Sequence, residues 1–268
     1  MKEQDLLSIR EFAALTGIKQ TKLRYYDEIG LFKPLKRGEN GYRYYSVIQS
    51  IMIRCVTVMQ SLKIPVKEFI ALRKKGQPEQ ILDLLRKHEL ELNQELFRLQ
   101  QAYAIIHTYS QLIQTGLHAD EQKISVRWTP STAIELGSVN NFSSGFFYDA
   151  FYRFINQMED RKIDAAYPVG GYYVNMDAFV RLPGKPSRFF SHVPTGRETT
   201  EAGEYVVGYT RGYYGNLGDL PRRMLAYAEE QGWAFSGPVY ETYLHDALTV
   251  ENPDLYLIQV SAQVKKAT

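Results

Sequence analysis

The sequence predicts a multidomain chain of the α + α/β class: a helical head with a small β-hairpin, one long helix, and an α+β tail. Three observations carry that prediction. Charge is uneven, with a net +8 over residues 1–75, −2 over 76–118 and −4 over 119–268. Apolar residues recur at every seventh position from Leu85 to Ile113, in a stretch with no Gly and with Pro only at its first residue, Pro78. Beyond residue 119 the texture turns to Tyr, Phe, Gly and Pro, in short segments that alternate between strand and helix patterns. A chain of 268 residues, 44% hydrophobic and 13% aromatic, can bury more than one core.

Composition also excludes several classes. No run of eighteen apolar residues exists, and the first residues, MKEQDLLS, lack the apolar stretch of a secretory signal. A soluble cytoplasmic protein with no membrane partner is expected. Cys55 is the one cysteine, so it forms no internal disulfide and cannot by itself make a zinc or redox site. It sits in the apolar run IMIRCVTVM, where a small packed thiol is the expected role. A basic head on an acidic tail suggests that the head meets a polyanion.

The head reads as two short helices and a hairpin. Ser8 followed at the third position by Glu11 is a capping-box pattern, and the apolar face of Ile9, Phe12, Ala13 and Leu15 ends at Gly17. A second helix, about 19 to 28, buries Leu23 and Tyr26 and leaves Lys19, Gln20, Lys22, Arg24 and Tyr25 for the outer surface. Two helices joined by a tight glycine turn form a helix-turn-helix, whose second helix can enter a major groove. In LFKPLKRGENGYRYYS, Pro34, Gly38, Asn40 and Gly41 mark turns, while Tyr42 to Tyr45 are strand formers, giving a hairpin wing. Lys33, Lys36, Arg37, Tyr42, Arg43 and Tyr44 on that wing can donate to phosphates.

The run SIREFAALTGIKQTKLRYYDEIGLFKP followed by GYRYYS resembles the N-terminal domain of the MerR family of transcription regulators. The resemblance implies a winged helix-turn-helix over 1–75 with two further helices, about 46 to 62 and 65 to 74. Position by position it implies Arg24, Tyr25 and Arg43 as the principal DNA contacts, with Tyr44 behind them. Tyr26 and Tyr45 are expected in the domain core.

The long helix, within 76–118, carries Leu85, Leu92, Leu99, Ile106 and Ile113 on one heptad position and Leu82, Leu96 and Tyr103 on another. Such a period argues for a coiled coil. Glu89 and Ser110 interrupt it. The family resemblance implies antiparallel pairing between two subunits, hence a homodimer on a pseudo-palindromic promoter duplex. Metal- and redox-sensing members of the family place cysteines at the ends of this helix. Here only His88, His107 and His118 occur, far apart, so no metal and no cofactor is expected.

The tail, 119–268, reads as strand material (ISVRWTPSTAIELGSV), an amphipathic helix (FFYDAFYRFINQMED) and a hairpin (AAYPVGGYYVNMDAF). A strand (GEYVVGYTRG), a helix (LPRRMLAYAEEQG) and two strands (GPVYETYLHDA and DLYLIQVSAQV) then follow. Laying residues 168–174 over 238–244 superposes the Pro-Val pairs, sets Tyr173 against Tyr243 and puts Gly171 against Glu241. This suggests two copies of a strand-helix-strand-strand unit. Period-two alternation places Val239, Glu241 and Tyr243 on one strand face. An unpaired acid buried there costs several kcal/mol, so Glu241 either faces water, pairs with Arg222 or Arg223, or waits in an aromatic pocket for a cationic guest.

The tail is similar to the GyrI-like ligand-binding domain of multidrug-sensing, BmrR-like members of the family. That likeness implies Glu241 beneath an aromatic pocket for lipophilic cations, with Tyr148 and Tyr256 among the pocket aromatics. Tyr173 and Tyr243, on strand parity, and Tyr213 and Tyr214 complete the expected set. The function implied is a transcription activator, not an enzyme, which distorts a promoter so that RNA polymerase engages it. Two alternatives stay open: a tail that binds a protein or a non-cationic signal, and a hydrolase in which Glu241 is a general base.

Overall fold

The computed structural model describes residues 6–142, 147–213 and 215–267, without the side chains of residues 73–75. The chain folds as two compact units, Met1–Phe97 and Arg98–Thr268. Their boundary lies within the long helix, so that helix contributes to both.

The first unit begins with a short strand, β1 (Leu6–Ser8), which the sequence pattern did not reveal because it is only three residues long. Helix α1 (Ile9–Thr16) follows, with the capping box formed: Ser8 N–H donates to Glu11 Oε2 at 2.8 Å and Glu11 N–H donates to Ser8 Oγ at 3.3 Å. Gly17 ends the helix in the left-handed region at φ 71°, where its lack of a Cβ avoids strain. Helix α2 (Gln20–Glu28) and the wing strands β2 (Lys36–Arg37) and β3 (Arg43–Ser46) come next. The three strands pair antiparallel in the order β1-β3-β2. Helices α3 (Gln49–Ser61) and α4 (Val66–Lys75) complete the domain within a few residues of expectation.

The core of this unit is aromatic: Phe12, Tyr26, Phe32 and Tyr45 are buried with Leu23, Ile53 and Val56. The Phe12 and Tyr45 rings stack at 4.6 Å between centroids. The Tyr26 hydroxyl donates to Gln60 Oε1 at 2.5 Å, tying α2 to α3.

Helix α5 (Pro78–Leu117) runs 40 residues. Of the eight heptad residues, Leu82, Leu85, Leu92, Leu96, Leu99, Tyr103 and Ile106 are 37% to 70% exposed.

The second unit is built on an antiparallel eight-stranded sheet in the order β4-β9-β11-β10-β6-β7-β5-β8. Its strands are β4 (Ser125–Thr129), β5 (Ala133–Leu136), β6 (Val169–Tyr173), β7 (Arg188–Ser191), β8 (Glu198–Thr199), β9 (Gly203–Arg211), β10 (Trp233–His245) and β11 (Leu257–Lys266). Its helices are α6 (Phe147–Asp160), α7 (Met176–Arg181) and α8 (Leu220–Glu230). The segment read as a hairpin turns helical after β6, because the Asn175 side chain caps α7 by accepting from Ala178 N–H at 2.8 Å.

The duplication is present as β5-α6-β6-β7 and β9-α8-β10-β11. Across the central pair β10 and β6, Val239 faces Tyr173, Tyr240 faces Tyr172 and Glu241 faces Gly171. With residues 70 apart taken as equivalent, Glu241 and Gly171 are each other's counterpart and sit opposite one another. The pseudo-twofold axis relating the two copies therefore passes through that pair.

Candidate functional site

Two sets of side chains were expected to act, and each lies within one unit. On the head, Lys19, Lys22, Arg24, Tyr25, Lys36, Arg37 and Tyr42 are exposed, while Gln20, Arg43 and Tyr44 are half-buried. Tyr26 and Tyr45 are core residues, as expected. Asp27 organises this face. Its buried carboxylate accepts from Arg37 Nη2 and from Arg43 Nε, each at 2.6 Å. One acid on α2 thus holds both wing arginines, β2 and β3 being joined in register by the pairs Lys36–Tyr44 and Arg37–Arg43. The arginine fork keeps further N–H groups for phosphates. Sequence reasoning missed Asp27, although its place beside the two tyrosines of α2 was visible.

In the tail, a cavity of about 260 Å3 opens over Glu241. Strand alternation holds as predicted: Val239 and Glu241 are buried on one face, and Tyr240 turns to the other to pack on Tyr172 and Phe190. The Tyr173 hydroxyl donates to Glu241 Oε2 at 2.9 Å and accepts from Gly184 N–H at 3.0 Å. Burial pushes the Glu241 carboxyl above its ordinary range, and hydrogen bonds from Tyr173 and Tyr243 pull it partway back. Burial, with the Glu241 charge beside it, pushes the Tyr173 hydroxyl up, so it acts as a donor. Arg222 and Arg223 do not reach this acid; they lie 3.8 and 3.6 Å from Asp219.

The glycine pair of β6 shapes the floor. A Cβ on Gly170 would come within 2.6 Å of the Glu241 carbonyl oxygen, so only glycine lets the strands close. A Cβ on Gly171 would stand 3.5 Å from the Glu241 Cβ and 3.1 Å from the Pro186 Cβ, so a side chain there would crowd the acid.

Of the expected pocket residues, Glu241, Tyr243 and Tyr256 line the cavity, and Tyr173 lies behind the acid. The Tyr243 and Tyr256 rings meet edge to face at 6.2 Å. Tyr148 is a correction: it is 58% exposed on the outer side of α6, while Phe147 and Phe151, one turn apart, supply that wall. The helical spacing of Phe147, Ala150, Phe151 and Phe154 carried that information. Tyr213 lies off the cavity wall, and Tyr214 falls outside the described residues. Tyr109 of α5, Tyr167, Phe189 and Asp246 line the cavity without having been anticipated. Among the described lining residues, both charged ones are acids. No cluster of His, Cys, Asp and Glu fit for a metal occurs among the described residues, and no helix there is long and apolar enough to cross a membrane.

Residues 8–45 match the family described as MerR family regulatory protein. Over 262 residues, 96% of this chain and 95% of the relative, the protein is 29% identical to the Multidrug-efflux transporter 2 regulator of Bacillus subtilis (strain 168). It is 31% identical over 103 residues to the transcriptional regulator BrlR of Pseudomonas aeruginosa, covering 37% of this chain and 38% of that one. Among solved structures, a cryo-EM EcmrR-DNA complex aligns over 97% of this chain and all of that chain, at 18% identity and a TM-score of 0.40. The relatives named here are regulators, and residues 8–45 are the part of this chain that matches the MerR family.

Proposed function

We propose that this protein is a homodimeric, ligand-responsive transcription regulator acting in the cytoplasm, which binds promoter DNA through residues 1–75 and senses lipophilic cations in the tail. The observation that carries the sensing half is Glu241: an acid 4% exposed, paired with hydroxyls rather than a base, beneath an aromatic cavity whose charged lining residues are acids. Aromatic faces and a desolvated carboxylate together favour large, flat, weakly hydrated cations. The exposed stripe of α5 supports pairing with a second copy, since an apolar row at seven-residue spacing is the seam of a coiled coil.

In this reading the dimer places two α2 helices on a pseudo-palindromic promoter, and the cation favours a state that distorts the DNA between promoter elements so that RNA polymerase engages both. The ligand works only through the difference in its affinity for the two states. The similarity to a multidrug-efflux regulator supports the ligand class. The test is Glu241→Gln in the full-length chain: DNA affinity should stay unchanged while affinity for tetraphenylphosphonium falls at least about tenfold. Unchanged affinity for that cation would remove Glu241 from the mechanism.

A further inference from the structure

The cavity holds a second carboxylate. Asp246 follows β10 directly and lines the same space as Glu241. Asp246 lies five positions after Glu241, and in an unbroken strand an odd offset would put them on opposite faces. The strand is not unbroken. Between Tyr243 and His245, β10 advances two residues while its partner β11 advances one, from Ile258 to Leu257. That bulge inverts the alternation, a common way for a strand end to re-aim a side chain. The effect is to bring Asp246 to the cavity while His245 turns to α5, its Nε2 3.4 Å from the Ile113 carbonyl oxygen.

The geometry around Asp246 is built. Its Oδ1 accepts from Leu248 N–H at 2.9 Å, and its carbonyl accepts from the backbone N–H groups of Thr249 and Val250, which fixes the turn. Oδ2 takes no hydrogen bond from the described residues. Tyr109 of α5 lines the cavity on this side and feels the Asp246 charge, which adds to burial in pushing its hydroxyl up. Along the strand the two acids lie on the order of 15 Å apart. One carboxylate sits deep between tyrosine hydroxyls, and the other is half-buried after the strand end.

Resting on the reading of the cavity as a cation site, we infer that Asp246 is its second anionic subsite and that the preferred ligands are elongated dications with an apolar spacer. One charged end sits on Glu241, the aromatic walls cover the spacer, and the other end meets Asp246. A monocation of the same apolar length uses the first subsite and the walls alone.

Calorimetric titration of the full-length protein with decamethonium and with decyltrimethylammonium, its singly charged counterpart, tests this. The wild-type protein should bind the dication about tenfold or more tightly than the monocation. Asp246→Asn keeps the acceptor for Leu248 N–H and should bring that ratio to about one, whereas Glu241→Gln should weaken both ligands. Hexamethonium, too short for both acids, should lose the advantage. If Asp246→Asn leaves the ratio unchanged while Glu241→Gln weakens both, Asp246 is no subsite and the cation site stands. If neither cation binds the wild-type protein, or Glu241→Gln changes nothing, the cation reading falls and this inference with it.

Discussion

At the scale of single residues, the decisive feature is the state of Glu241. Because its folded carboxyl titrates above its ordinary value of 4.5, the folded protein holds this proton more tightly than the unfolded chain. Stability contributed by this group is therefore lost as pH rises from about 4.5 through the raised value. A bound cation favours the ionised form, so its affinity should climb with pH across that window and its binding should release a proton. Titration in buffers of different ionisation enthalpy reads that release, and Glu241→Gln should abolish it; a pH-independent affinity in the wild-type protein would contradict the assignment. Asp27 carries a second residue-scale prediction. Replacing it with Asn frees Arg37 and Arg43 from their shared anchor and should cost about 1–2 kcal/mol, the exposed side of Arg37 being screened by water. DNA binding should weaken several-fold with it. A variant with wild-type melting and DNA affinity would show that the wing needs no such anchor. That Glu241 and Tyr243 share a strand face was legible from parity, whereas the aromatic pocket over Glu241 was implied only by the family resemblance. Asp246 was not legible, because the bulge that turns it to the cavity leaves no trace in an alternation count.

At the scale of elements, periodicity served the helices well and the short pieces poorly. The heptad row of α5 and the capping box of α1 were readable because each repeats a physical rule over several residues. Strand β1 is too short to show alternation, and α7 follows β6 so closely that its start looked like a turn. On α6 the family resemblance pointed to Tyr148, which is exposed; the apolar spacing along the helix is what says that Phe147 and Phe151 turn inward. Tyr109 had no local signal, since its place on the cavity wall depends on how α5 packs within its own unit. The exposed stripe gives the element-scale prediction. Leu99 is 52% exposed, so Leu99→Glu should leave the folded chain intact yet convert a dimer to a monomer in sedimentation velocity at micromolar concentration. A wild-type chain that sediments as a monomer, or a variant that associates equally well, would contradict the coiled-coil assignment.

At the scale of the whole molecule, a Pro-Val pair repeated 70 residues apart foreshadowed the duplication of the tail, and the register of β6 against β10 centres it on Gly171 and Glu241. A duplicated unit brings two equivalent strands side by side. Divergence at that junction, glycine on one copy and an acid on the other, makes room above a charge. The proposed sensing requires that this space select for positive charge. Thermal melting of the full-length chain, which keeps Tyr109 on the cavity wall, with tetraphenylphosphonium, rhodamine 6G and matched neutral analogues tests it most directly, because any ligand selective for the folded state raises the melting temperature. A concentration-dependent rise is expected with the cations, none with the neutral compounds, and loss of the rise in Glu241→Gln. Equal stabilisation by neutral analogues, or no shift with either cation, would contradict it.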